Sequence, residues 1–135
     1  MPTLPRAAVY ARSRVSGPGG VQNPQSEALA AAEQITVCRA YTAAHGMDVV
    51  DEYVDLGVGV RDKRPEYDRL IADLDTGRLD VIIIEGPDRV ARSLRERDAL
   101  QERCEAVGCQ VHLANPGCPW DDDAKIFASI GAFGS

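Results

Sequence analysis

The chain is poor in the residues that build metal and disulfide sites. Its 135 residues include only two histidines, His45 and His112, and four cysteines, Cys38, Cys104, Cys109 and Cys118, none in C-x-x-C spacing. Neither a zinc site nor a disulfide framework is expected, and a reducing cytoplasm is the default compartment. No apolar stretch approaches the length that spans a bilayer, and the start from Met1 to Pro5 lacks the charged and apolar regions of a secretory leader. No membrane partner is therefore expected. Also missing are a G-x-G-x-x-G after a strand and a G-x-x-x-x-G-K-[ST] loop, so a standard dinucleotide or P-loop site is disfavoured and no cofactor or metal is expected. A net charge of -6 argues against nonspecific nucleic-acid binding by the surface as a whole, while leaving room for a local basic face.

What is present reads as one domain over residues 1–135, with 44% hydrophobic residues and room for a single core. Strand and helix patterns alternate, which predicts an α/β fold with a mostly parallel sheet of four or five strands and helices on both faces. The first strand is Ala7 to Arg12. The turn-rich stretch from Ser16 to Gln25 reads as a flexible loop, after which Ser26 is placed to cap a helix that ends near His45, with Gly46 as its stop. Met47 to Val54 reads as the second strand. Pro65 then opens a helix with Tyr67, Leu70, Ile71 and Leu74 at helical spacing, closed by Gly77. The unbroken apolar run Val81 to Ile84 is a third strand, buried on both faces. A polar helix from Arg89 to Val107, a fourth strand from Gln110 to Ala114 and an amphipathic helix from Ala124 to Phe133 complete the pattern.

The residues that carry chemistry collect at the carboxyl ends of these strands. Arg12 and Arg14 end the first, Asp55 ends the second, Arg64 precedes the following helix, and Asp88, Arg89 and Arg92 follow the third. In an open parallel sheet that edge is where ligands bind, and a following helix adds its positive dipole end. Arg89 and Arg92 are three apart and share one face of a helix. Arginines in this number suit bidentate recognition of a phosphoryl group. A nucleotide or phosphorylated small molecule would fit such a cluster as well, and so would a solvated, salt-bridged helix start.

The same residues carry a resemblance. Ala8-Val-Tyr10-Ala-Arg12, then Gln34 to Tyr41 with Gly46, Tyr53-Val-Asp55-Leu-Gly57, Arg64-Pro65, and Asp80 to Ile84 followed by Asp88-Arg89-Val-Ala-Arg92-Ser93 come in the order found in the catalytic domain of serine recombinases. The chain resembles that group, the resolvases, invertases and large serine integrases, from about residue 6 to residue 133. The resemblance implies site-specific DNA recombination without metal or nucleotide, by a serine hydroxyl that cuts DNA through a 5′-phosphoserine link. It implies phosphate contacts for Arg12, Arg64, Arg89 and Arg92, orienting or proton-handling roles for Asp88 and Gln34, and a buttressing role for Asp55. It further implies double-stranded DNA as partner in the full-length context, with a homodimer that becomes a tetramer in the synaptic complex. The chain would end near the start of the family's long dimerisation helix, where Ile126, Phe127, Ile130 and Phe133 are interface candidates, and would lack the DNA-binding domain.

The nucleophile departs from the pattern. The family reads Tyr-x-Arg-x-Ser along the first strand, and a gapless match of Tyr10 and Arg12 puts Arg14 in the serine's place. A two-residue insertion reaches Ser16 in an intact Arg14-Val15-Ser16 and preserves strand parity with Arg12. A one-residue deletion reaches Ser13, which in an extended strand points away from Arg12. The third reading has no nucleophile, which would make the domain a catalytically inactive one that dimerises with or regulates a partner recombinase. Gly59-Val60, where the family has Ser-Gly, removes another hydroxyl.

Overall fold

A computed structural model describes residues 3–14, 17–58, 63–86, 89 and 94–115. Four strands, β1 (Arg6–Arg12), β2 (Asp48–Asp55), β3 (Val81–Ile84) and β4 (Gln110–Leu113), pair in parallel in the order β2-β1-β3-β4. Three helices connect them: α1 (Pro24–Ala44), α2 (Pro65–Asp75) and α3 (Leu94–Val107). The fold is therefore α/β with an all-parallel sheet among the described residues.

Strand order and side-chain alternation explain the layers. The chain leaves β1 toward one side to reach β2, then returns past β1 to reach β3 and β4, so right-handed crossovers place α1 on one face and α2 with α3 on the other. Alternate residues of β1 divide between the two cores. Ala8 and Tyr10 pack with Leu70 and Leu74 of α2 and Leu100 and Cys104 of α3. Ala7 and Val9 pack instead with Cys38, Ile35 and Tyr41 of α1. Ile82, Ile83 and Ile84 are fully buried because β3 is covered on both faces. Cys38, Cys104 and Cys109 are buried free thiols, and burial pushes the Cys38 thiol up to about 12.

Most elements fall where the sequence places them, with two differences around α1. The helix begins at Pro24, not at Ser26, and its cap is Asn23, whose side chain accepts from the Ser26 N–H. Proline at the first helical position loses no hydrogen bond there, which suits it to this start. The loop before it also holds a short 3-10 turn, Pro18–Gly20. On β2 the pairing register shifts so that Ala7 faces Val49 and Ala8 faces Asp51, leaving Val50 as the extra residue of a bulge. The predicted helix from Ala124 to Phe133 lies outside the described residues. No helix among them is long and apolar enough to cross a membrane.

Candidate functional site

The two directions of chain travel diverge between β1 and β3, and the crevice at their carboxyl ends is the expected ligand position in such a sheet. β1 outruns its neighbour there: its last partner on β3 is Ile84, opposite Tyr10. On that side the Arg12 peptide meets the Gln34 carboxamide instead of a strand. The Arg12 N–H donates to Gln34 Oε1 at 3.1 Å, and Gln34 Nε2 donates to the Arg12 carbonyl at 2.8 Å. On the β2 side the ladder continues, with the Ser13 N–H donating to the Asp55 carbonyl and the Val58 N–H donating to the Ser13 carbonyl, both at 3.0 Å. Arg12 is thus fixed from both sides before its side chain makes a contact.

That side chain is fully buried, which is rare for arginine and requires polar partners. Nη1 donates to the Val58 carbonyl at 2.8 Å and Nε to the Arg89 carbonyl at 3.2 Å. The guanidinium therefore links the segment after β2 to the segment after β3. Arg89 itself is half-buried, with Nη2 3.0 Å from Glu85 Oε1.

Arg64 and Asp55 form the next part of the same edge. Arg64 is the residue before α2, and its guanidinium carbon sits 4.0 Å from the centroid of the Tyr67 ring, a cation–π contact. Tyr67 meets Tyr10 edge to face at 5.4 Å. The Tyr10 hydroxyl donates to Asp55 Oδ2 at 2.8 Å, and the Glu66 and Tyr67 N–H groups donate to Oδ1 and Oδ2, each at 3.0 Å. Asp55 thereby satisfies two donors of the first turn of α2, and its negative charge favours the helix's positive end. Burial, then the bond to Asp55, holds the Tyr10 phenol well above its ordinary range, so Tyr10 is a fixed donor.

Of the two serine candidates, Ser13 lies among the described residues. Ser13 is 3% exposed, and its Oγ has no hydrogen-bond partner among the described residues. Strand alternation gives it the α1 side with Ala7 and Val9, opposite the side that Arg12 shares with Tyr10. Arg14 is exposed. Ser16, Asp88 and Arg92 lie outside the described residues, as do Gly59 and Val60.

Two buried charged residues escape the sequence reading. Glu27 is 2% exposed, and its Oε2 accepts from the Asn23 N–H at 2.5 Å. The signal for it was Asn23 followed by proline and, three residues after the proline, Glu27; placing the cap at Ser26 concealed it. Arg97 on α3 is 6% exposed, with Nη1 3.4 Å from Asp98 Oδ1. It stands in the run Arg95-Glu96-Arg97-Asp98, which reads as a solvated face. Among the described residues no cluster of three or more His, Cys, Asp or Glu is arranged to hold a metal.

Gln34 gives a direct check on this geometry. Gln34→Ala removes both bonds to the Arg12 peptide and is expected to cost about 2 kcal/mol of stability, because a buried donor and acceptor are left unmet. Urea unfolding measures it, and a loss under about 0.5 kcal/mol would mean that water replaces the carboxamide.

Residues 7–133 match the model of a family described as Resolvase, N terminal domain. Among solved structures, the N-terminal catalytic domain of TP901-1 integrase superposes with a TM-score of 0.72 at 23% identity, covering 94% of this chain and 92% of that one. A resolvase family site-specific recombinase from Streptococcus pneumoniae gives 0.69 at 16% identity, with 94% and 83% covered. The C-terminal catalytic domain of ISC1926 TnpA, an IS607-like serine recombinase, gives 0.68 at 21% identity, with 89% and 74% covered. These likenesses are of fold. No curated protein matches the chain in sequence.

Proposed function

Because the chain belongs to the family of resolvase N-terminal domains, which serves site-specific recombination, we propose that it cuts and rejoins duplex DNA through a covalent serine link. A serine Oγ attacks the scissile phosphorus, the Oγ–P bond forms and the P–O3′ bond breaks. The serine proton leaves with the attack, and one proton is delivered to the departing 3′ oxygen. The 5′ phosphoserine conserves the energy of the cut bond, so the reverse attack by a new 3′ hydroxyl rejoins strands without an external energy source. Guanidiniums supply the charge stabilisation that the developing phosphorane needs, and their value rises in a site with little water.

The observation that carries this reading is the buried Arg12, locked at the switch point by Gln34, Val58 and Arg89. A guanidinium placed in advance costs no reorganisation when charge develops. Arg64 and Arg89 stand on the same sheet edge, and Asp88, next to Arg89 in sequence, and Arg92, three residues after it, complete the set of phosphate and proton-handling groups. Ser16 is the proposed nucleophile, since Ser13 is buried and strand alternation turns it away from Arg12, while Arg14 takes the place of the family's serine. Subunits pair through the apolar residues Ile126, Phe127, Ile130 and Phe133, and pairs of dimers bring two DNA sites together.

Serine replacement tests the assignment. Ser16→Ala in the full encoded protein is expected to abolish both recombination and the covalent protein–DNA adduct, while Ser13→Ala retains both. Adduct formation by Ser16→Ala would remove Ser16 from the nucleophile's role.

A further inference from the structure

We propose that Glu27 is a positioning residue of the phosphate site, holding Arg12 in place through Gly57 and Val58. The inference rests on the phosphate-site reading above and adds a residue that no arginine or serine motif points to.

The contacts form a continuous path. Glu27 lies in the first turns of α1, and its carboxylate is nearly completely buried. One oxygen is taken by the Asn23 N–H. The other faces Gly57, where a β-carbon would lie 2.6 Å from Glu27 Oε1 and 2.9 Å from Gln22 Nε2. Real β-carbons do not come that close, so the carboxylate and the Gly57 main chain are in direct packing contact. Gly57 also has a φ of 69°, which favours glycine. The next residue, Val58, accepts from Arg12 Nη1 and donates to the Ser13 carbonyl. Moving the carboxylate therefore frees the 56–58 segment, and with it the Val58 carbonyl that accepts from the Arg12 guanidinium.

Capping alone does not require this burial. Asn23 already caps the helix through its own side chain, and a glutamate serving only the helix's positive end does so from the surface. Glu27 instead brings the start of α1 against the loop after β2. The loop after β2 reaches Arg12 through Val58, so a change at Glu27 is transmitted to Arg12 through packed main chain.

The test uses Glu27→Ala, Glu27→Asp and Glu27→Gln in the full encoded protein, with amide hydrogen exchange and adduct formation as readouts. In Glu27→Ala the Val58 amide is expected to exchange about tenfold faster while the Ile82 and Ile83 amides of β3 keep their rates, the mark of a local opening. Adduct formation on a duplex containing the mapped cleavage site should fall about a hundredfold, with the DNA dissociation constant within about twofold, as for a misplaced catalytic group. Glu27→Gln keeps the shape and one acceptor, and should restore both readouts to within about threefold of the parent. Unchanged Val58 exchange, equal acceleration in β3, or an unaltered adduct rate would overturn the proposal. Should Glu27→Ala not fold, Glu27→Asp, which withdraws the charged group from Gly57 by one methylene, decides by the same measures. A parent protein that forms no adduct would count against the recombinase reading, and Val58 exchange would still decide the role of Glu27.

Discussion

Asp55→Ala is expected to destabilise the chain by about 3–5 kcal/mol, the cost of stripping partners from several buried polar groups at once. Three donors lose their acceptor together: the Tyr10 hydroxyl and the Glu66 and Tyr67 amides. Asp55 is 3% exposed, so water cannot take its place without a local opening. The helix that loses its cap also carries Leu70 and Leu74 into the larger core, which couples the local loss to global stability. Tyr10→Phe removes only one of the three donors and should cost about 1 kcal/mol. Urea unfolding of the two variants separates the contributions. An Asp55→Ala loss no larger than that of Tyr10→Phe would show that the α2 amides do not depend on the carboxylate.

Arg12→Lys is expected to lower the rate of covalent DNA adduct formation by roughly 10²–10³-fold, the range for removing one transition-state donor. Lysine keeps the charge but not the planar fork. A single ammonium cannot reproduce the guanidinium's span from the Val58 carbonyl to the Arg89 carbonyl. The two main-chain segments would then lose their common tie. Single-turnover cleavage measures the effect, with DNA binding followed separately. A fall in affinity with the cleavage step unchanged would make Arg12 a ground-state contact and not a transition-state one.

The sequence was most legible where local chemistry and tertiary packing ask for the same residues. The run Val81 to Ile84 reads as a strand covered on both faces, and all four residues are buried. Tyr67, Leu70, Ile71 and Leu74 share a helical face and reach one core. The stops at Gly46, Gly77 and Gly108 also stand where expected, each with positive φ. The start of α1 was less legible because Asn23-Pro24 fits a turn as well as a capped helix, and its alanine-rich sequence marks no buried face by itself.

For the site, the sheet edge was readable and the tertiary contacts were not. Arg12, Asp55, Arg64 and Arg89 collect at the strand ends because the α/β pattern dictates it. That Gln34 replaces a missing strand beside Arg12 depends on β3 stopping at Ile84, which only the strand order reveals. Asp55 was expected to buttress arginines, and its observed bonds are to the first turn of α2 and the Tyr10 hydroxyl. Glu27 and Arg97 remained hidden because charged residues in helices read as solvated until packing shows otherwise.

The most direct measurement is to locate the bond to DNA. The full protein is denatured during reaction with DNA from the cells that encode it, the DNA is digested, and the peptide carrying a residual nucleotide is sequenced by mass spectrometry. The account predicts a nucleotide phosphate on Ser16. A nucleotide on any other residue, or no covalent adduct under conditions where recombination proceeds, would contradict it.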